Sequence, residues 1–99
     1  MIKMKSPGML PKHYSPKLPL RTNVITAKKG EVLIGFGDNS KASINLSPTA
    51  NLEEAARNLY ETLRRLDNDI KFSGIAINPI PNEGIGVAIN DRLSRASQS

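Results

Sequence analysis

The sequence predicts a small α/β domain that follows an extended, proline-rich arm. Two segments repeat apolar residues at helical spacing, and four shorter segments of aliphatic and β-branched residues lie between turn signals. With 99 residues, the chain has room for one domain with a modest core. We predict an arm over residues 1–18 and a domain over residues 19–97, with a mixed sheet of about four short strands and two main helices.

The arm is defined by its prolines. Four of the seven prolines in the chain lie between Ser6 and Leu20, and each removes a backbone donor and favours extended geometry in the residue before it. The segment does not alternate apolar and polar residues as a half-buried strand does. It therefore predicts an extended, polyproline-like ribbon outside the core.

Three short strands are expected next. Residues 20–27 and 32–36 favour strands, and the turn between them is far too short for a parallel crossover. If these two strands pair with each other, they have to be antiparallel. Residues 42–46 predict a third strand. A mixed sheet follows from this arrangement.

The first helix has the strongest periodic pattern in the chain. Steps of four and three residues separate its apolar positions, which are Leu52, Ala56, Leu59, Leu63 and Leu66. Asn51 is suited to cap the helix, with Glu54 as its partner in a capping box. The pattern predicts a helix with one face in the core, and its arginines are better explained as a solvated surface than as a binding site.

A fourth strand and a second helix complete the predicted domain. Residues 74–80 predict a strand that ends in a proline-rich stretch. The second helix repeats apolar residues at Ile85, Ile89, Leu93 and Ala96. The third strand, the first helix and the fourth strand form a βαβ unit, whose strands should be parallel with a right-handed crossover. Gly84 and Gly86 are better explained by a tight turn than by an anion site.

The excess positive charge lies in the first thirty residues. Residues 1–30 carry seven basic side chains and no acid, whereas residues 31–99 carry seven basic and nine acidic side chains. A solvated basic tail and an arm that contacts phosphate, on RNA or on a nucleotide, both fit this distribution. Tyr14 beside His13 favours the phosphate-contacting arm, because both rings can stack on a base.

Composition and motifs argue against several kinds of chemistry. The chain has no cysteine and one histidine, so disulfides and thiolate catalysis are excluded and no metal ligand is assigned. No segment has the apolar length of a membrane span or of a secretory signal, so a cytoplasmic protein is predicted. Known nucleophile and nucleotide-binding motifs are missing, and Asp67 and Asp69 are better explained as the polar end of a helix. We therefore assign no catalytic residue and do not expect a complete enzyme.

Several ordered motifs resemble one family. SPGM at residues 6–9 and HYSPKLPL at residues 13–20 are similar to the interdomain linker of the two-domain threonylcarbamoyl-AMP synthases. Further similar segments follow in order: GEVLIGFG (30–37), NLSP (45–48), EEAARNLYETLRRLD (53–67) and IPNEGIGVAINDRLSRA (80–96). The chain resembles the linker and the C-terminal accessory domain of this family, which is a small Rossmann-like α/β unit.

The resemblance implies a function in tRNA modification. Members of the family use ATP, threonine and bicarbonate to make threonylcarbamoyl-AMP, the activated intermediate for threonylcarbamoyladenosine in tRNA. Their catalytic YrdC-type domain is expected as a fused or separate partner, and ATP with Mg belongs to that domain, so no cofactor is expected here. The resemblance implies that the linker covers the catalytic pocket. The linker residues assigned to this covering function are Ser6, Pro7, Gly8, Met9, Lys12, His13, Tyr14 and Pro16.

The chain departs from the family at two places. Family linkers often read KYRHY where residues 10–14 read LPKHY, and Lys12 in place of arginine cannot make a bidentate phosphate contact. The connection between the first two strands is short for a Rossmann-like unit, which argues against a helix there.

Two alternatives to an accessory domain remain open. One is an independent RNA-binding module that uses the basic arm, and the other is a purely structural domain whose arm is only a tether. As an accessory domain, the isolated chain is expected to bind tRNA weakly or not at all.

Overall fold

The computed structural model describes residues 17–38, 41–69 and 71–97. The described residues form, in chain order, β1 (Leu20–Arg21), β2 (Glu31–Gly35), β3 (Ile44–Asn45), α1 (Leu52–Asp67), β4 (Gly74–Ile77) and α2 (Ile85–Ser97). The predicted α/β class, with four short strands and two helices, is confirmed. Neither of these helices is long and apolar enough to cross a membrane.

The four strands form one sheet in the order β1-β4-β2-β3, and all three strand pairs are parallel. The predicted mixed sheet is therefore wrong, because the described strands pair only in parallel. The short connection from β1 to β2 does not require antiparallel pairing, because β4 lies between these strands and pairs with both. The predicted parallel orientation of β3 and β4 is confirmed, although β2 separates them. Residues 22–30 form a loop. The absence of a helix is as expected, whereas the strand predicted over residues 20–27 is limited to Leu20–Arg21.

Both helices pack against the same face of the sheet, and they contact each other. The strands contribute alternate residues to this core, among them Val32, Ile34, Ile75 and Ile77. The helices contribute Ala55, Leu59, Leu63, Leu66, Ile89 and Leu93. The domain therefore has two layers, a parallel sheet and a pair of helices, with its core between them.

The helical faces agree with the sequence patterns in part. Leu59, Leu63 and Leu66 are buried as predicted. Leu52, Ala56 and Ala96 are only partly buried. In α2, Ile85 is 41% exposed, so its predicted position in the core is wrong. The first turn of α2 instead buries Gly86, which packs closely against the backbone of Pro81.

An ion pair crosses the face of the sheet that the helices leave uncovered. Arg21 on β1 donates from Nη2 and Nε to the two carboxylate oxygens of Glu31 on β2, at 2.6 and 2.8 Å. Between them lies Gly74 of β4, in register with Glu31. A Cβ on Gly74 would lie 3.3 Å from Glu31 Cγ, so the missing side chain makes room for the pair. The pair thus joins two strands that do not touch each other.

Two hydrogen bonds hold the loop over residues 22–30 against the end of β4 and the start of β2. Asn78 Nδ2 donates to the carbonyl oxygen of Val24 at 2.9 Å, and the backbone N–H of Lys28 donates to Glu31 Oε1 at 2.8 Å. The hydrogen bond from Arg21 is the main cause that lowers the pKa of Glu31 to about 2, and partial desolvation opposes it. Glu31 is therefore ionised at neutral pH and fixes both β1 and the loop.

Replacing Leu59 by alanine should destabilise the domain by about 2 to 5 kcal/mol, because a side chain that is only 1% exposed leaves a cavity in the core. Urea denaturation followed by circular dichroism would measure the change. Arg57→Ala on the exposed face of the same helix is the matched control and should change the free energy of unfolding by less than about 0.5 kcal/mol. Equal effects of the two substitutions would contradict the assignment of the core.

The contribution of Glu31 to stability should depend on pH. Because its pKa is about 2 in the folded protein and 4.5 in the reference state, the folded state binds fewer protons. The contribution is then complete above about pH 4.5 and is lost as the pH falls toward 2. Urea titrations of the wild type and Glu31→Gln should differ more at about pH 6 than at about pH 3. A difference that is the same at both pH values would argue against the ion pair.

Candidate functional site

The residues predicted to cover a nucleotide lie outside the described residues. These are Ser6, Pro7, Gly8, Met9, Lys12, His13, Tyr14 and Pro16. The described chain begins immediately after them, at Lys17. The structure therefore defines the place where the arm enters the domain, and the arrangement of the predicted residues stays a prediction.

The entry point of the arm is fixed by contacts with two other elements. The backbone N–H of Lys17 donates to Asp67 Oδ1 at the end of α1, at 2.9 Å. The carbonyl oxygen of Pro19 accepts from the N–H of Ile75 in β4 at 2.8 Å, and Leu20 is buried in the core. The arm is therefore anchored at the amino-terminal end of β1, beside the C-terminal end of α1.

The two aspartates at the end of α1 accept hydrogen bonds from backbone N–H groups. Asp67 is the last residue of the helix and accepts from the N–H of Lys17, whereas Asp69 Oδ1 accepts from the N–H of Lys71 at 3.0 Å. These contacts confirm that the aspartates form the polar end of a helix. One of them also holds the start of β1.

The NLSP segment forms a hydrogen-bond network between β2, β3 and α1. Asn45 Nδ2 donates to the carbonyl oxygen of Gly37 at 2.7 Å, and Asn45 Oδ1 accepts from the N–H of Ser47 at 2.9 Å. The buried hydroxyl of Ser47 donates to Glu54 Oε1 at 2.6 Å and accepts from the N–H of Asn51 at 2.8 Å. The segment thus closes the loop that leads into α1.

The cap of α1 agrees only in part with the predicted capping box. Asn51 Oδ1 accepts from the N–H of Glu54 at 2.9 Å, as predicted for the helix cap. Glu54, however, does not return a bond to the N–H of Asn51; Ser47 lies between them and binds both. Sequence reasoning missed Ser47, although a serine close before a helix cap is a typical residue for such local backbone bonds.

The NEGIG segment is a turn into α2. Gly84 has a φ of 53°, and the N–H groups of Gly86 and Val87 donate to the carbonyl oxygens of Glu83 and Gly84. A Cβ on Gly86 would lie 2.0 Å from the carbonyl oxygen of Pro81, a distance that excludes any larger residue without a shift of the chain. The interpretation as a tight turn is confirmed, and these two amides are used within the turn.

A polar cleft of about 390 Å³ lies where β1 and β4 end, beside α2. Its eight lining residues include Thr22, Asn23, Asn82 and Ser94, and none of the eight is charged. In addition, Asn90 Nδ2 already donates to the carbonyl oxygen of Ile80 at 2.9 Å. The cleft offers neutral hydrogen-bonding groups and lacks the cations that hold a phosphate.

The family model described as threonylcarbamoyl-AMP synthase, C-terminal domain, matches residues 2–98. No solved structure matches the chain. The matched range includes both the proline-rich arm and the α/β domain, and it confirms the family that the ordered motifs resemble.

Replacing Ser47 by alanine should destabilise the domain by about 1 to 3 kcal/mol, because it leaves the N–H of Asn51 and the carboxylate of Glu54 without their buried partner. Thermal or urea unfolding would measure this loss. Ser43→Ala, the same substitution at an exposed serine just before β3, is the control and should change stability by less than about 0.5 kcal/mol. If both variants were as stable as the wild type, the network would have no structural importance.

Proposed function

The chain belongs to the threonylcarbamoyl-AMP synthase C-terminal domain family, and from this premise we propose that it is the accessory domain and active-site-covering linker of an L-threonylcarbamoyladenylate synthase. A catalytic YrdC-type domain, fused or separate, is its partner. That domain performs the nucleotidyl transfer with ATP, Mg, threonine and bicarbonate, and the product serves tRNA modification in the cytoplasm. The family match over residues 2–98 carries the proposal, because it includes the arm as well as the domain.

The fixed end of the arm supports a covering function. Lys17 and Pro19 are hydrogen-bonded to α1 and β4, and Leu20 is part of the core. A ribbon that is stiffened by proline and held at one end loses less conformational entropy on binding than a free flexible tail. The domain then acts as a rigid base from which the arm reaches the catalytic pocket of the partner.

The side chains of the arm suit contact with a nucleotide or with the acyl-adenylate intermediate. Tyr14 and His13 offer rings that can stack on a base, and Lys12 offers a positive charge for a phosphate oxygen. Closing such an arm over the pocket would exclude water from the bicarbonate-derived intermediate and orient the reacting groups. In this proposal the arm binds and covers, and the chemistry remains with the catalytic domain.

The described domain itself contributes no reacting group in this proposal. The carboxylates of Glu31 and Glu54 are bound to Arg21 and Ser47, and the polar cleft beside α2 is neutral. These groups serve the fold of the domain. An accessory function is therefore more consistent with them than a second catalytic site.

Replacing His13 and Tyr14 together by alanine should lower the formation of threonylcarbamoyl-AMP at least tenfold when the catalytic domain is supplied. Tenfold corresponds to about 1.4 kcal/mol of lost stabilisation of the closed or transition state. Release of pyrophosphate with ATP, threonine and bicarbonate would be measured, and circular dichroism should show an unchanged fold.

The matched control is the double variant Glu53→Ala and Arg57→Ala, which changes two exposed residues of α1 outside the arm. It should keep the activity of the wild type. Full activity of the His13 and Tyr14 variant would instead make the arm a passive tether and favour the purely structural alternative.

A further inference from the structure

Charged side chains of the described domain are separated between the two edges of the sheet. At the carboxyl-terminal edge, the loop segments over residues 36–38, 46–51 and 78–84 and the first turns of α1 and α2 together carry acidic residues and no lysine or arginine. The acids are Asp38, Glu53, Glu54 and Glu83. This is the edge where an open α/β sheet usually binds phosphates, and its acidic charge opposes an anionic ligand.

The opposite edge carries basic residues on the turns that precede β1, β2 and β4 and on the last turn of α1. We call this group the cationic edge; its members are Lys17, Lys28, Lys29, Arg64, Arg65 and Lys71. All six are exposed. The cationic edge includes Lys17, the first of the described residues.

Hydrogen bonds bring the loops of the cationic edge together. The N–H of Ser73 donates to the carbonyl oxygen of Gly30 at 2.8 Å, which joins the turn before β4 to the turn before β2. The bond from Lys17 to Asp67 joins the start of β1 to the end of α1. Because β1, β4 and β2 are neighbours about 5 Å apart, their lysines extend over about 10 Å or more.

The cationic edge makes no ion pair among the described residues. Of the nearby carboxylates, Asp69 accepts the N–H of Lys71 and Glu31 is paired with Arg21. The two ion pairs in the described part of the chain are Arg21 with Glu31 and Arg95 with Asp91, and neither uses a member of the cationic edge. The ammonium groups of Lys17, Lys28 and Lys29 are therefore available to an external polyanion, whereas that of Lys71 lies 5.8 Å from the centroid of the Phe72 ring.

We propose that the cationic edge binds the phosphate backbone of RNA. Separate, exposed lysines are point charges that suit successive phosphates, whereas a single nucleotide phosphate is usually held in an enclosed cradle of amides. The edge offers no stacking groove for base recognition among its six residues, so binding is independent of sequence and depends strongly on salt. The inference rests on the charge distribution and goes beyond the proposed function of the arm.

The test uses the full chain and a fluorescently labelled tRNA transcript. Anisotropy titrations at about 50 mM and about 200 mM salt would give the affinity and its salt dependence. The test variant carries Lys28→Gln, Lys29→Gln and Lys71→Gln. The matched control carries Arg57→Gln, Arg92→Gln and Arg95→Gln, which lie on the helices outside the cationic edge; each triple variant lowers the net charge from +5 to +2.

We expect micromolar binding of the wild type at low salt, on the order of the affinity of nonspecific nucleic-acid complexes. The edge variant should bind at least tenfold more weakly and with a smaller salt dependence, whereas the control should lose less than about threefold. An equal loss in both variants would reduce the effect to net charge and overturn the proposal. Displacement of the RNA by polyglutamate at an equal concentration of negative charge would also overturn the proposal. The cationic edge would then bind an acidic protein as well as it binds RNA.

These outcomes are separate from the test of the arm. The binding assay contains no catalytic domain, and His13 and Tyr14 are unchanged in both triple variants. A chain that fails to bind RNA can still support synthesis, and an arm variant that fails in synthesis can still bind RNA.

Discussion

The packing of this domain depends on the placement of both helices on one face of the sheet. The other face has to be closed without a helix, and it is closed by small residues, an ion pair and a loop. Gly74 leaves the space in which Arg21 and Glu31 meet across β4, and Asn78 holds the loop over residues 22–30. One carboxylate thereby connects β1, β2 and their loop. Its pKa of about 2 is a direct result of this position.

The helices could be predicted from the sequence, whereas the order of the strands could not. Leu59, Leu63 and Leu66 repeat at helical spacing, and this local pattern is sufficient to predict which face is buried. The position of β4 between β1 and β2 depends on pairing between segments far apart in the chain. The rule that a short connection makes antiparallel strands applies only to strands that pair, and the sequence does not state which strands pair. Ile85 shows a similar limit, because its exposure depends on how closely the first turn of α2 approaches Pro81.

The candidate site was predicted mainly from the similarity of motifs to one family. The structure shows that some of these motifs stabilise the fold. The NLSP and NEGIG segments form a cap network and a tight turn, which are functions in folding. Ser47 is the clearest case, since its hydroxyl binds two residues that the sequence predicted to bind each other. The residues of the arm motif, by contrast, do not belong to the apolar patterns from which the core is predicted. This contrast is why the arm, and not the domain, is the better candidate for contact with a nucleotide.

The entry point of the arm relates the two proposals to each other. The eleven residues from Ser6 to Pro16 can span at most about 40 Å when fully extended, so the part of a pocket that they cover lies within that distance of Lys17. The cationic edge lies on this side of the domain, and the four acidic residues of the carboxyl-terminal edge lie on the opposite side. A catalytic partner and an RNA backbone would therefore approach from the same direction. Repulsion between RNA phosphates and the acidic residues of the carboxyl-terminal edge disfavours binding of the RNA at that edge. The charge separation therefore orients the domain on the RNA and does not strengthen the fold.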